Sequence, residues 1–129
     1  MPIIYQKFIY REDLQANPHV LYLFGDNLKR QGLGGQAKEM RGEPNAVGIA
    51  TKKLPSQYEN SFFSDDDAEL FLEHYHKDIL RVENHLNRMN LVVIPMDGLG
   101  SGLSELPTRA PKINSFIIND LQELKKLYG

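Results

Sequence analysis

Val20-Leu21-Tyr22-Leu23-Phe24, followed at once by Gly25-Asp26-Asn27, is the stretch on which the fold turns. Five apolar residues in a row, with no polar alternation, describe a strand covered on both faces, as in a parallel sheet between helices. Gly-Asp-Asn is a turn signal that ends it. The pattern repeats outward along the chain. Ala46 to Thr51 reads as a strand, Leu91 to Ile94 as another closed by Pro95, and Ile3 to Ile9 as the first. Between them lie a helical turn at Arg11 to Ala16, stopped by Asn17-Pro18, and a short helix at Gln36 to Met40. Lys52 to Phe63, with Pro55, is loop-like. Ser64 caps the longest helix and Asp65-Asp66-Asp67 sit at its positive end. Its apolar stripe is Phe71, Tyr75, Ile79, Val82, Leu86 and Met89, and it ends near Asn90. A last helix from about Pro111 carries Ile113, Phe116, Ile117, Leu121, Leu124 and Tyr128. Strands alternating with helices predict an α/β fold with a largely parallel sheet covered on both faces. Right-handed crossovers then gather the loops after the strands along one sheet edge, where ligands of such folds bind.

A chain of 129 residues, 41% hydrophobic and 25% charged, fits one domain, residues 1–129, with a packed core. A net charge of −2 argues against nonspecific nucleic-acid binding, which needs an excess of cations. The absence of cysteine excludes disulfides, thiolate metal sites and a cysteine nucleophile. The beginning lacks the pattern of a signal peptide, and no apolar run approaches a membrane span. A soluble, cytoplasmic protein is the expectation.

Six of the ten glycines fall in two clusters: Gly32, Gly34 and Gly35, then Gly98, Gly100 and Gly102. Each cluster follows an apolar strand and precedes a helix. Glycine lets the backbone approach a ligand and turn several amides toward one anion. One such loop is as readily a plain turn; two on one sheet edge point to a shared phosphate site. The first cluster lacks the third glycine and the downstream acid of a dinucleotide-binding turn. There is also no Gly-Lys-Ser/Thr of a P-loop.

Gly25-Asp26-Asn27, Gly32-Leu33-Gly34-Gly35 with Gln36-Ala37, Ile49-Ala50-Thr51-Lys52, and Ile94 to Leu103 occur in an order that resembles the macrodomain superfamily. The resemblance runs from Val20 to about Leu127. Within that superfamily the chain is most similar to the compact branch of terminal ADP-ribose protein glycohydrolases and DNA ADP-ribosyl glycohydrolases. It also resembles short phage and bacterial proteins that share Phe-Gly-Asp-Asn-Leu and Gly-Gly-Gln-Ala. The resemblance implies a three-layer α/β/α macrodomain-like fold, its sheet largely parallel or mixed, that binds ADP-ribose. It implies that Asp26 accepts from the adenine amino group, while Asn27 lies near the distal ribose. Gly32, Gly34, Gly35 and Gln36 would border that ribose and the diphosphate. Thr51 would line the site, and Gly98, Leu99, Gly100, Ser101, Gly102 and Leu103 would form the second diphosphate loop. Lys52 matches the lysine that attacks the anomeric carbon in the glycohydrolases. The aspartate expected after the second loop is replaced by Ser104, leaving Glu105 or Asp97 as acid/base. A lysine of ordinary pKa, about 10.4, is mostly protonated at neutral pH, and no local residue pattern names its activator.

Plainer readings stand beside these. Asp26 also suits a turn cap, and Lys52 a surface charge or phosphate contact. His74 and His76 diverge on a helix and do not share a metal; His85 and His19 lie apart. Tyr58, Phe62 and Phe63 offer a ring to stack on a base or ribose, or, as the plainer role, pack their own loop. Arg30, Lys38 and Arg41 either steer an anion or are solvated charges. Arg109 and Lys112 oppose the dipole of the last helix, which suggests an anion close by. Three function classes follow. One is an ADP-ribosyl hydrolase acting on modified protein or nucleic acid. The second is a non-catalytic reader or sponge for ADP-ribose or a related NAD-derived nucleotide. The third is an interaction module without the ligand. No cofactor is implied, no membrane partner, and no particular oligomeric state.

Overall fold

A computed structural model describes residues 2–100, 102 and 104–129. Its centre is a four-stranded sheet in the order β1-β4-β2-β3, with every neighbouring pair parallel: β1 (Ile3–Gln6), β2 (Leu21–Asn27), β3 (Ala46–Lys52) and β4 (Val92–Pro95). The helices are α1 (Arg11–Ala16), α2 (Ala37–Met40), α3 (Ala68–Asn87), α4 (Leu106–Arg109) and α5 (Pro111–Tyr128).

Strand alternation sorts the core into two halves. Leu21, Leu23, Val47, Ile49, Val92 and Ile94 pack with Phe71, Tyr75, Ile79, Val82 and Leu86 of α3 and Ile113, Ile117, Leu121 and Leu124 of α5. The intervening Tyr22, Phe24 and Val93 face the other way, onto Leu14 of α1 and Ala37 and Met40 of α2. The fold is therefore a three-layer α/β/α sandwich, as the apolar runs predict. No helix among the described residues is long and apolar enough to cross a membrane.

Several boundaries differ from expectation. β1 stops at Gln6, whose side chain turns to Phe8 O and Asp13. α3 stops at Asn87, so Met89 lies beyond it with φ +61 and is exposed rather than in the stripe. Phe116 is only half-buried, its ring set edge-on to Phe71 and Tyr75. Ser64 and Asp67 bond each other reciprocally, but they head a 3-10 turn over Asp65–Asp67, and α3 begins at Ala68. Asp65 instead caps α5: its Oδ1 accepts from the amides of Lys112 and Ile113 at 3.0 and 3.3 Å. The anion that Arg109 and Lys112 called for is therefore the chain's own.

Strand β2 runs through Gly25-Asp26-Asn27, which the sequence marked as a turn. Pairing with Ile49, Ala50 and Lys52 of β3 holds it extended, with an irregularity between Asp26 and Asn27. Gly25 is obligatory here, because a Cβ would run into the Leu99 carbonyl oxygen. β3 is a sheet edge, and arginines cover its outer carbonyls. Arg81 donates to Ala46 O and Pro44 O at 3.0 and 2.6 Å, and Arg30 to Gly48 O at 2.9 Å.

Candidate functional site

Parallel strands put the carboxyl ends of β2, β3 and β4 on one side of the sheet, and the loops that follow them meet there. The meeting place is a cleft of about 180 Å³. The first glycine loop contributes Gly32, Gly34, Gly35 and Gln36; the strand ends contribute Asp26, Asn27, Thr51 and Lys52; the second loop contributes Leu99, Gly102 and Ser104. Ser101 and Leu103 lie outside the described residues. Gly98 and Gly100 do not line the cleft, and neither do Glu105 and Asp97. Arg41, which flanks the first loop, lines it too, as do Gln31, Pro55 and Gln57; nothing in the local sequence of those last three distinguishes them from ordinary loop residues.

The first loop is shaped from within. Asn27 accepts from the Lys29 amide at 3.0 Å and donates to Gln31 O at 2.8 Å, closing the turn after β2. Gly32 and Gly35 then take positive φ, +93 and +56, a conformation open mainly to glycine. Gln36 returns to the sheet, its Oε1 accepting from the Gly25 amide at 3.1 Å. Among the described residues, the amides of residues 31–36 donate to no group in the chain.

The second loop is braced. Leu99 and Gly100 are buried, the Gly98 amide donates to Pro95 O, and Gly100 O accepts from both the Leu106 amide at 3.0 Å and the Ser104 hydroxyl at 2.6 Å. Glu105, at φ +50, starts α4, a helix the sequence did not announce because it is one turn long with a proline inside it.

Asp26 is almost fully buried and already engaged. Arg41 grips both of its oxygens, the Asn27 amide donates to Oδ1 at 2.8 Å, and Arg30 lies 3.6 Å from Oδ2. Arg30 also pairs with Asp78 at 2.6 Å. These two arginines are thus structural partners of carboxylates rather than free steering charges; Lys38 is exposed. Arg41 further donates to Gln31 O and Gly32 O, at 3.2 and 2.7 Å, tying the first loop to the end of β2. A neighbouring hollow of about 310 Å³ shares Asp26 and Arg41 with the cleft and continues past Phe24, Met40 and Arg30.

Lys52 is 7% exposed, and its Nζ donates to Ser56 O at 2.7 Å. Burial pushes its pKa below the ordinary lysine value. The Arg109 charge acts in the same direction and Glu105 opposes both. The segment after it is a compact turn rather than a plain loop: Phe62 bridges back to Lys52, and Glu59–Ser61 form a 3-10 turn. Phe62 and Phe63 are buried as packing residues, whereas Tyr58 is 78% exposed. Among the described residues, no three His, Cys, Asp or Glu side chains gather as metal ligands.

A three-layer α/β chain with a glycine-walled cleft at the carboxyl ends of its strands is the class that fold and site define. The chain belongs to DUF7831, a family of unknown function whose model matches residues 4–120. No curated protein and no solved structure matches it.

Proposed function

We propose that this chain binds ADP-ribose, or a related NAD-derived nucleotide, in the cleft between its two glycine loops. The observation that carries the reading is the run of amides at residues 31–36 with no partner in the chain, set beside Lys52. Amides without intrachain acceptors, on a loop kept open by glycines, are suited to the oxygens of a diphosphate. The cleft's volume is below the roughly 300–1,000 Å³ of sites that enclose a whole drug-sized ligand. It is therefore assigned to the diphosphate and one ribose, with the base toward the hollow across Asp26 and Arg41. Because Asp26 already accepts from Arg41, a ligand amino group would share that carboxylate or displace the guanidinium. We place the protein in the cytoplasm, with ADP-ribosylated protein or nucleic acid as the macromolecular partner.

Hydrolysis is favoured over a reader or sponge by one feature, the lowered pKa of a buried lysine in the cleft wall. A neutral amine can attack the anomeric carbon as the linkage to protein or nucleic acid breaks. Water then releases the sugar and restores the amine. Of the two acids considered, the Glu105 charge acts on Lys52, and Glu105 is the one proposed to handle the proton.

Titration calorimetry with ADP-ribose, AMP and NAD tests the pocket: stoichiometric heat with ADP-ribose is expected, and silence with all three removes the assignment. Incubation with ADP-ribosylated protein or DNA, beside Lys52→Ala, separates enzyme from reader. Release of ADP-ribose should be lost in the variant; turnover that survives takes Lys52 out of the mechanism.

A further inference from the structure

Two cations lie over one aromatic ring beside the cleft. Lys52 Nζ is 4.8 Å from the Phe62 ring centroid, and Arg109 Cζ is 3.8 Å from the same point. Phe62 is fixed there by its antiparallel bridge to Lys52 and is 5% exposed, so the ring is a rigid platform whose face attracts both cations. Arg109 is held from two directions. Its Nε donates to Glu105 at 3.1 Å, and its two terminal nitrogens donate to Glu59 at 2.9 and 3.3 Å. Lys52 makes no ion pair among the described residues; its polar partner is a neutral carbonyl, Ser56 O. The neighbouring Lys53 is paired with Asp67 at 3.5 Å.

Like charges beside a shared ring are unfavourable unless packing enforces them. A carboxylate placed directly on Lys52 would lock it as an ammonium ion. The chain instead gives its carboxylates to Arg109 and leaves the amine with a backbone oxygen. Arg109 pairs with Glu105 four positions away and with Glu59 50 positions away, so the second half of its anchoring leaves no local pattern.

We propose that Arg109 is a positioning residue for Lys52: anchored by Glu59 and Glu105, it packs on Phe62 and through that ring fixes the amine at the cleft wall. The chemical purpose of this arrangement rests on the hydrolase reading; the arrangement itself is testable without any ligand. Burial does most to disfavour the ammonium form; Glu105 favours it, and Arg109 disfavours it by less than Glu105 favours it.

The test follows Lys52 directly, by titrating the folded protein after reductive ¹³C-methylation of its lysines and assigning the Lys52 signal by its absence in Lys52→Arg. Arg109→Gln should raise the Lys52 midpoint by about half a pH unit, the size expected for one nearby charge in a partly solvated setting. Glu105→Gln should lower it by at least as much, and Arg109→Lys, which keeps the charge, should stay near the parent. Shifts of opposite sign separate a charge effect from loosening, which would move both neutralised variants toward the free-lysine value. Equal midpoints in parent, Arg109→Gln and Glu105→Gln, or a rise in both variants, would overturn the proposal. Midpoints that move as expected in a protein silent toward ADP-ribose would leave this arrangement standing and remove the nucleotide reading instead.

Discussion

The two glycine clusters look alike in sequence and do opposite things in the fold. In the first, residues 31–36 are largely exposed, with amides that have no acceptor in the chain, and the loop is held from outside by Arg41 and Asn27. In the second, Gly100 is buried under α4, its carbonyl shared by Ser104 and Leu106. One loop uses glycine to keep donors free; the other uses it to let a helix come close. Composition alone does not separate a cradle from a brace, because both need a residue without a side chain.

The contrast is most sharply tested at Gly100. A Cβ there would lie 2.7 and 2.8 Å from Leu106 side-chain atoms, and Leu106 is fully buried. Gly100→Val should cost about 3 kcal/mol by overpacking, a fall in Tm on the order of 10 °C; unchanged melting would show that the second loop is no brace. Arg41→Met is next. It leaves the buried Asp26 carboxylate with the Asn27 amide and a more distant Arg30, and unties the first loop. The expected loss is about 2 kcal/mol, less than for a fully buried pair because Arg41 is partly solvated. Hydrogen exchange should quicken around residues 26–28 beyond any global change. If protection there is unaltered, Arg41 is not the tether.

Gly34→Val should do the reverse of Gly100→Val. Stability should move by no more than about 0.5 kcal/mol, as at other exposed positions, while affinity for ADP-ribose in calorimetry drops about tenfold. Equal affinity would make the first loop a plain turn. The smallest effect belongs to Lys52→Met. The folded chain holds this amine less readily protonated than the unfolded chain does, whose lysines keep the ordinary value of 10.5. Its charge therefore costs stability at neutral pH. The cost fades as pH rises through the folded value toward 10.5. The variant should melt slightly higher than the parent at pH 7, with the gap closing by pH 10; a gap that widens with pH contradicts the lowered pKa.

Much of the frame is legible without coordinates. Leu21 to Phe24 and Val92 to Ile94 are unbroken apolar runs, and Phe71 to Leu86 keep a helical stripe, because burial on both faces of a parallel sheet leaves little room for polar residues. The misses share a cause. Gly25-Asp26-Asn27 has poor strand propensity and is extended only because β3 pairs with it. α4 is too short to show a period. At the site, Lys52 and the first glycine loop could be singled out from their place after strands. Arg41 and Arg109 could be noticed as charges beside a loop and a helix start, but not their partners, which lie 15 and 50 residues away, because long-range ion pairs leave no local trace.

The arginines along β3 have a consequence for how the molecule behaves when heated or crowded. An open sheet edge is a template on which another chain can lay a strand. With the Pro44, Ala46 and Gly48 carbonyls already accepting from Arg81 and Arg30, that template is occupied. Arg81 is carried by α3, and Arg30 is paired to Asp78 of the same helix. Shelter from self-association thus depends on that helix staying docked. Once α3 lifts, the strand loses its guard, and clumping should begin before the rest of the sheet has come apart.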